Sequence, residues 1–222
     1  MATSLDLQEQ EQLDELKAFW KTYGNLITWL LIAALAAYAA WNGWNWYQRD
    51  QGLKAGAMYD ELERAAVAGD AEKAGRVFGD LRQRFPGTAH AGHGGLLAAR
   101  VQFEKGQADA AKASLAWVAD SANPEELRTI ARLRLAGLLL DAKQFDEALK
   151  QLDGAGGAEF AALVADRRGD VLSAQGKAAE ARAAYESAYK AMPETVEYRR
   201  LVEAKLTALG GAPAAAASGA SR

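Results

Sequence analysis

Few side chains in this 222-residue chain could perform chemistry, and they do not form a recognisable site. The two histidines, His90 and His93, lie three residues apart in the stretch AHAGHGG, so both could point from one helix face toward a metal ion. No carboxylate lies in that stretch, and two ligands make a weak metal site. Because the chain has no cysteine, thiol nucleophiles, disulfides and thiolate zinc sites are excluded. We therefore expect no metal and no cofactor.

Neighbouring carboxylates are the other candidates for chemistry. Pairs such as Glu125/Glu126 and Asp60/Glu61 are typical of solvated helix surfaces, and Glu125 follows Pro124 at an expected helix start, where acids complement the helix dipole. The sequence contains no GxSxG, HExxH or phosphate-binding loop motif. Its 26 basic and 29 acidic residues leave no basic excess for nucleic acid. We therefore expect a protein that is not an enzyme, does not bind nucleic acid and works by binding other proteins.

A stretch without any charge, residues 22–48, follows an acidic N-terminal tail, residues 1–21. Its 27 residues exceed the ~20 that a helix needs to cross the ~30 Å hydrocarbon layer. Tyr23 and Trp44 would lie about 31 Å apart along such a helix, which places their rings at the two membrane interfaces. The sequence therefore predicts a transmembrane helix over 22–48.

Two questions about this span remain open from the sequence. Ala37-Tyr38-Ala39 has the small-residue spacing of a signal-peptide cleavage site, although the preceding tail is acidic rather than positively charged. Two basic residues flank the span on each side, so the positive-inside rule leaves its orientation undecided.

The span also has a stripe of small residues that could let another membrane helix approach closely. This predicted contact face consists of Ala33, Ala36, Ala37, Ala40 and Gly43. An alanine-rich span without a helical partner is the alternative interpretation.

After the span, the sequence repeats a helix-pair pattern four times. One alanine marks each repeat, with spacings of 37, 37 and 33 residues: Ala74, Ala111, Ala148 and Ala181. Five residues before each alanine stands a residue expected to form a turn: Gly69, Gly106, Lys143 and Gly176. Four residues after each alanine stands a large side chain: Phe78, Leu115, Leu152 and Tyr185. Prolines after three of the repeats should end the second helices, and the period is that of tetratricopeptide repeats.

The pattern predicts an all-α fold, a tetratricopeptide-like α-solenoid over residues 49–209 behind the single N-terminal transmembrane helix. We expect four helix pairs and a capping helix over about 194–209, since a solenoid must cover its last repeat. The predicted pairs are 51–68 with 71–85, 88–105 with 108–121, 125–142 with 144–153, and 158–174 with 177–191. Residues 210–222 cannot bury a core and should be disordered. A generic helical bundle is the alternative.

The first helices of the pairs should line the concave side of the solenoid. Counting from the repeat alanines, the predicted groove residues are Tyr59, Glu63, Leu96, Arg100, Phe103, Leu133, Leu140, Asp166, Asp170 and Ser173. This mixture of apolar and acidic groups predicts a groove for apolar, weakly basic unfolded segments. For the leucines, ordinary packing between helices is the alternative.

Two stretches, AFWKTYGN and the segment 161–188, are similar to the YfgM family of ancillary subunits of the bacterial SecYEG translocon. The resemblance extends from about Asp14 to Leu209. It implies an inner-membrane protein with a cytoplasmic N-terminus and a periplasmic repeat domain. It also implies partnership with SecYEG and with the membrane-anchored periplasmic chaperone PpiD in handling unfolded secretory polypeptides. The family brings no catalytic residues.

Two functions are compatible with these features. The first is a non-enzymatic translocon accessory and chaperone scaffold. The second is a membrane-tethered regulator that sequesters an envelope-stress signalling protein through the acidic cytoplasmic tail.

Overall fold

The computed structural model describes residues 7–211, with side chains from residue 11 onward. Over this range the chain forms α-helices and one short 3-10 turn, Ala158–Phe160, and no strand, which confirms the predicted all-α class. The helices are α1 Leu7–Val67, α2 Ala71–Arg84, α3 Ala89–Glu104, α4 Ala108–Ser121, α5 Glu125–Asp141, α6 Phe145–Asp153, α7 Ala161–Ala174, α8 Ala178–Ala191 and α9 Tyr198–Ala208. Most of the tail predicted to be disordered, residues 212–222, lies outside the described residues.

The chain divides into two units between Asp50 and Gln51. In the first unit α1 is long and apolar enough to cross a membrane, and nearly all of its side chains are exposed. Large rings such as Trp29 and Trp41 are more than half exposed. Exposure of such rings is favourable in contact with lipid and unfavourable in contact with water. The Thr28 hydroxyl donates to the Gly24 carbonyl at 2.8 Å, so this polar group needs no water inside the bilayer.

The second unit, from Gln51 onward, is built from helix pairs that pack at the predicted small residues. The repeat alanines Ala74, Ala111, Ala148 and Ala181 are each 0% exposed. Because an alanine carries only a methyl group, the two helices of a pair can approach closely at this point. The large residues one turn later are buried as well, so the predicted repeat register is confirmed.

The four turns between paired helices share one backbone geometry. Gly69, Gly106 and Gly176 have φ between 66° and 77°, and Lys143 has φ of 58°. In the third turn the Lys143 N–H donates to the Leu140 carbonyl at 2.9 Å and the Gln144 N–H to the Leu139 carbonyl at 2.8 Å. The same two bonds recur in the other turns, as in a Schellman motif. Lys143 is the only one of these four turn residues that is not glycine, and it adopts the left-handed conformation despite its Cβ.

The predicted helix ends hold with three differences. The predicted helix 51–68 is not a separate helix but the last part of α1, which runs without a break from Leu7 to Val67. Helices α2, α4 and α8 end before Pro86, Pro124 and Pro193, as expected. The predicted helix 158–174 is a 3-10 turn, Ala158–Phe160, followed by α7, and Gly157, with φ of 93°, precedes the turn. The capping helix α9 begins at Tyr198 rather than at 194, since turns occupy the intervening residues.

The glycines of the AHAGHGG stretch allow α3 to pack closely against its neighbours. A Cβ at Gly95 would lie 2.3 Å from Val118 Cγ2 and 2.9 Å from the Phe78 ring. A Cβ at Gly94 would lie 2.7 Å from Leu81 Cδ2. The stretch that raised the question of a metal site therefore serves the packing of the core.

We expect the substitution Gly95→Ala to destabilise the protein. Alanine improves helix propensity by about 1 kcal/mol, but overpacking of a close contact costs about 1–3 kcal/mol, and the branched Val118 has little room to move. Gly79→Ala in α2 is the matched control, because its Cβ would meet nothing within 4 Å, and it should stabilise by up to about 1 kcal/mol. Thermal unfolding of the full chain in detergent, followed by circular dichroism, measures both. An equal increase in melting temperature for the two variants would contradict the close approach of α3 to Val118 and Phe78.

Candidate protein-binding groove

A groove runs along the first helices of the last three repeats, α3, α5 and α7. Its first cavity, of about 370 Å³, lies among α3, α4, α5 and α7. Its second, of about 250 Å³, lies among α5, α7 and the start of α9. Arg134 of α5 and Arg167 of α7 line both cavities. The apolar lining residues are Leu96, Phe103, Leu115 and Leu138 in the first cavity and Ile130, Leu133, Phe160, Leu163 and Tyr198 in the second. We call these two cavities together the groove.

The structure brings half of the predicted groove residues to these cavities. The first cavity contains Leu96, Arg100 and Phe103, and Phe103 is 48% exposed although it is a large apolar ring. The second contains Leu133 and Asp166. An exposed phenylalanine beside an open cavity has the character of a contact surface.

The remaining leucine and serine of the predicted set lie elsewhere. Leu140 is half-buried and packs against the hydrophobic core, so the packing interpretation holds for this residue. Leu133 packs against the same core and the buried Leu96 belongs to it, so packing describes these two leucines as well, although they also line the cavities. Ser173 is exposed near the end of α7 and lines neither cavity.

Two predicted residues lie on the part of α1 that belongs to the second unit. Tyr59 is half-buried, and its ring centroid lies 5.9 Å from that of His90. Burial, and then the negative charge and hydrogen bond of Glu63, raise the pKa of Tyr59, while the charge of Arg100 opposes the shift. Tyr59, Glu63 and Arg100 are thus close enough to interact. His93 is exposed, and the described part of the chain holds no group of three side chains that could ligate a metal.

The carboxylates of Asp166 and Asp170, one turn apart on α7, are held by a polar network. Lys205 Nζ of α9 lies 2.9 Å from Asp166 Oδ1 and 2.7 Å from Asp170 Oδ1. The Tyr198 hydroxyl donates to Asp166 at 2.7 Å, and the Tyr185 hydroxyl donates to Asp170 at 2.9 Å. The Asp166 side chain is only 3% exposed. We call these five residues the α9 network.

The α9 network changes the expected charge of the groove. Burial, followed by the neighbouring aspartates, raises the pKa of both Tyr185 and Tyr198, so their hydroxyls remain donors. Burial opposes the charge of Lys205, but the two carboxylates outweigh it and raise its pKa above the usual 10.5. Since Lys205 neutralises part of their charge, Asp166 and Asp170 do not present free carboxylates to a ligand. The sequence predicted a mixed apolar and acidic groove for weakly basic segments, and the pairing of these two aspartates with Lys205 removes part of the negative charge on which that prediction rested.

The predicted contact face of the span lies on α1 in the first unit. Its members, Ala33, Ala36, Ala37, Ala40 and Gly43, are exposed. A Cβ at Gly43 would meet nothing within 4 Å, so this surface has room for a partner helix. Contact with a second membrane helix stays a prediction.

Comparisons with known proteins agree with the helical repeat architecture. A family model for a tetratricopeptide repeat-like domain matches residues 17–211. The chain is 32% identical over 204 residues to the ancillary SecYEG translocon subunit of Neisseria gonorrhoeae, covering 91% of this chain and 98% of that protein. It is 28% identical over 182 residues to the protein of the same name from Haemophilus influenzae, covering 82% and 89%. It is 29% identical over 185 residues to that from Escherichia coli, covering 82% and 87%.

We expect Lys205→Met to destabilise the second unit by about 3 kcal/mol at neutral pH, because it leaves buried Asp166 without its cation. Lys190→Met, at an exposed position of α8, is the control and should be nearly neutral in its effect on the free energy of unfolding.

The pH dependence of stability tests the same ion pair. Because the pKa of Lys205 is raised, its charge stabilises the fold below the ordinary value of 10.5, and this contribution is lost as the pH rises through the raised pKa. The stability difference between wild type and Lys205→Met in urea unfolding should therefore shrink above about pH 10.5. A difference that is constant up to the most alkaline pH at which the fold survives would contradict the ion-pair interpretation.

Proposed function

Because the chain belongs to the YfgM family of ancillary SecYEG translocon subunits, we propose that it is a non-enzymatic accessory subunit of a SecYEG translocon in a bacterial inner membrane. One observation carries this proposal. The similarity to the gonococcal relative covers 91% of this chain, and therefore includes both the apolar span and the repeat unit. The match to the repeat-like family model also begins before the span, at residue 17.

The proposed arrangement assigns one task to each part of the chain. The acidic tail 1–21 lies in the cytoplasm, the helix 22–48 crosses the membrane, and the unit 49–209 works in the periplasm as a chaperone scaffold. Its groove would hold segments of unfolded secretory polypeptides, and PpiD would be its chaperone partner. The exposed Phe103 and the open apolar cavities beside it support a binding role for this surface.

The span would do more than anchor the protein. Helices associate in lipid through close packing of small residues, and the face of Ala33, Ala36, Ala37, Ala40 and Gly43 offers such a surface. Contact with a translocon helix would keep the repeat unit at the channel exit. The high local concentration there would compensate for modest affinity toward any single segment.

The topology can be tested directly. Protease added to spheroplasts should digest the unit after residue 49 and leave the N-terminal tail protected behind the membrane. Epitope tags at the two ends report each side separately. Digestion of the repeat unit only after membrane rupture would overturn the proposed orientation.

The role of the span face can be tested by copurification from detergent. Ala36→Leu should lower the yield of SecYEG by about tenfold, since a bulkier side chain costs roughly 1–2 kcal/mol of close helix packing. Ala34→Leu is the matched control, because residue 34 lies about 120° around the helix from the centre of the predicted face. Equal yields from the two variants would show that the span is only a tether. A signalling protein in place of translocon subunits in the wild-type fraction would favour the regulator function.

A further inference from the structure

The groove has apolar cavities at its two ends and arginines between them. Arg134 and Arg167 each stand 14 residues before a repeat alanine, Ala148 and Ala181, so they occupy the same position in consecutive repeats. Stacking of the repeats therefore places both at the junction of the two cavities, which both of them line.

These arginines are poorly neutralised by the protein itself. Arg134 is exposed and forms no ion pair with the residues that the structure describes. Arg167 Nη1 makes one long contact of 3.5 Å to Asp170 Oδ2, and the other oxygen of that carboxylate lies 2.7 Å from Lys205 Nζ. The guanidinium of Arg100 also lines the first cavity, but its Nε lies 3.6 Å from Glu104 Oε1. Each cavity has one acidic lining residue, Asp141 in the first and Asp166, which is paired with Lys205, in the second.

We propose that the groove selects polypeptide segments in which one or two carboxylate side chains lie between apolar side chains. The apolar side chains fill the two cavities, and the carboxylate meets the guanidinium groups of Arg134 and Arg167. A guanidinium forms charge-assisted, often bidentate hydrogen bonds with a carboxylate, and these are strong when water is partly excluded. The inference rests on the proposed function and names the kind of segment that the groove would hold.

Segments of other charge fit the groove less well. A segment with lysine at its centre would bring a cation toward the arginines, and like charges at an interface reduce affinity. A neutral segment would offer Arg134 only uncharged acceptors, and these form weaker hydrogen bonds with a guanidinium than a carboxylate does. Charge complementarity thus favours an acidic centre.

The test uses the full chain in nanodiscs of uncharged lipid and three labelled synthetic peptides. The peptides share a leucine and a phenylalanine at each end and differ only at the centre, which is Asp-Asp, Ser-Ser or Lys-Lys. Fluorescence anisotropy should give an affinity about tenfold tighter for the Asp-Asp peptide than for the Ser-Ser peptide, and weakest binding for Lys-Lys. The advantage of Asp-Asp should shrink at high salt. Equal affinities, or preference for Lys-Lys, would overturn the proposal.

A charge reversal locates the effect in the groove. Arg134→Glu should remove the preference for Asp-Asp and favour Lys-Lys, while Arg182→Glu, at an exposed position of α8 outside both cavities, should leave the order unchanged. Circular dichroism of both variants checks that they fold. An equal effect of the two reversals would mean that net charge, not the groove, sets the preference, and the proposal would fail.

Two further measurements separate the inference from the proposed function. Phe103→Ala should weaken binding of all three peptides, because it removes an apolar contact that they share. Copurification of SecYEG with Arg134→Glu reports on assembly alone and should equal that of wild type. Intact copurification without any charge preference would overturn only the inference, whereas loss of SecYEG from the wild-type chain would overturn the proposed function. Binding to vesicles of anionic lipid but to none of the peptides would assign the arginines to a membrane surface and reject the inference.

Discussion

Close approach between helices is the constraint on which the repeat unit depends. At each helix pair one residue can carry no more than a methyl group, as the fully buried Ala181 illustrates in the last repeat. Gly169 in the same repeat has no room for any side chain, since a Cβ there would lie 2.4 Å from the Tyr185 ring. Because Tyr185 is held against α7 in this way, its hydroxyl reaches Asp170. Tight packing between α7 and α8 thereby sets the position of the polar groups that bind α9.

The periodic part of this architecture could be predicted from the sequence, because its determinants are local. A small residue, a turn residue five positions earlier and a proline after the second helix sufficed to place the helix pairs, even where Lys143 replaces glycine in the turn. The charge of the groove could not be predicted in this way. It depends on Lys205, which lies 39 residues from Asp166 in a helix outside the repeat pattern. The seven-residue spacing of Tyr198 and Lys205, which puts them on one face of α9, was the available signal.

The polar network fixes the position of α9 more than it stabilises the folded protein. Transfer of Lys205 and Asp166 from water carries a desolvation cost that offsets most of their attraction, so a buried pair of this kind adds little to the free energy of unfolding. It does favour the observed position of α9, in which Lys205 Nζ lies 2.9 Å from Asp166 Oδ1 and 2.7 Å from Asp170 Oδ1. Tyr198 belongs to this network and also lines the second cavity, so the fixed position of α9 defines that end of the groove.

The third repeat has a consequence for the cooperativity of the unit. Helix α6 has nine residues and is followed by the glycine-rich segment 154–157, and its packing against α7 is sparser than that of α4 against α5. The buried side chains form one large cluster that reaches Val171 of α7, a second cluster that includes Tyr185 and Val202, and a small third cluster around Leu81 and Phe85. In a repeat array, stability is a sum of nearest-neighbour terms, so the array is most compliant at its sparsest junction. Arg134 and Arg167 lie on opposite sides of that junction. The distance between their guanidinium groups can therefore change at the lowest free-energy cost when the groove binds a segment.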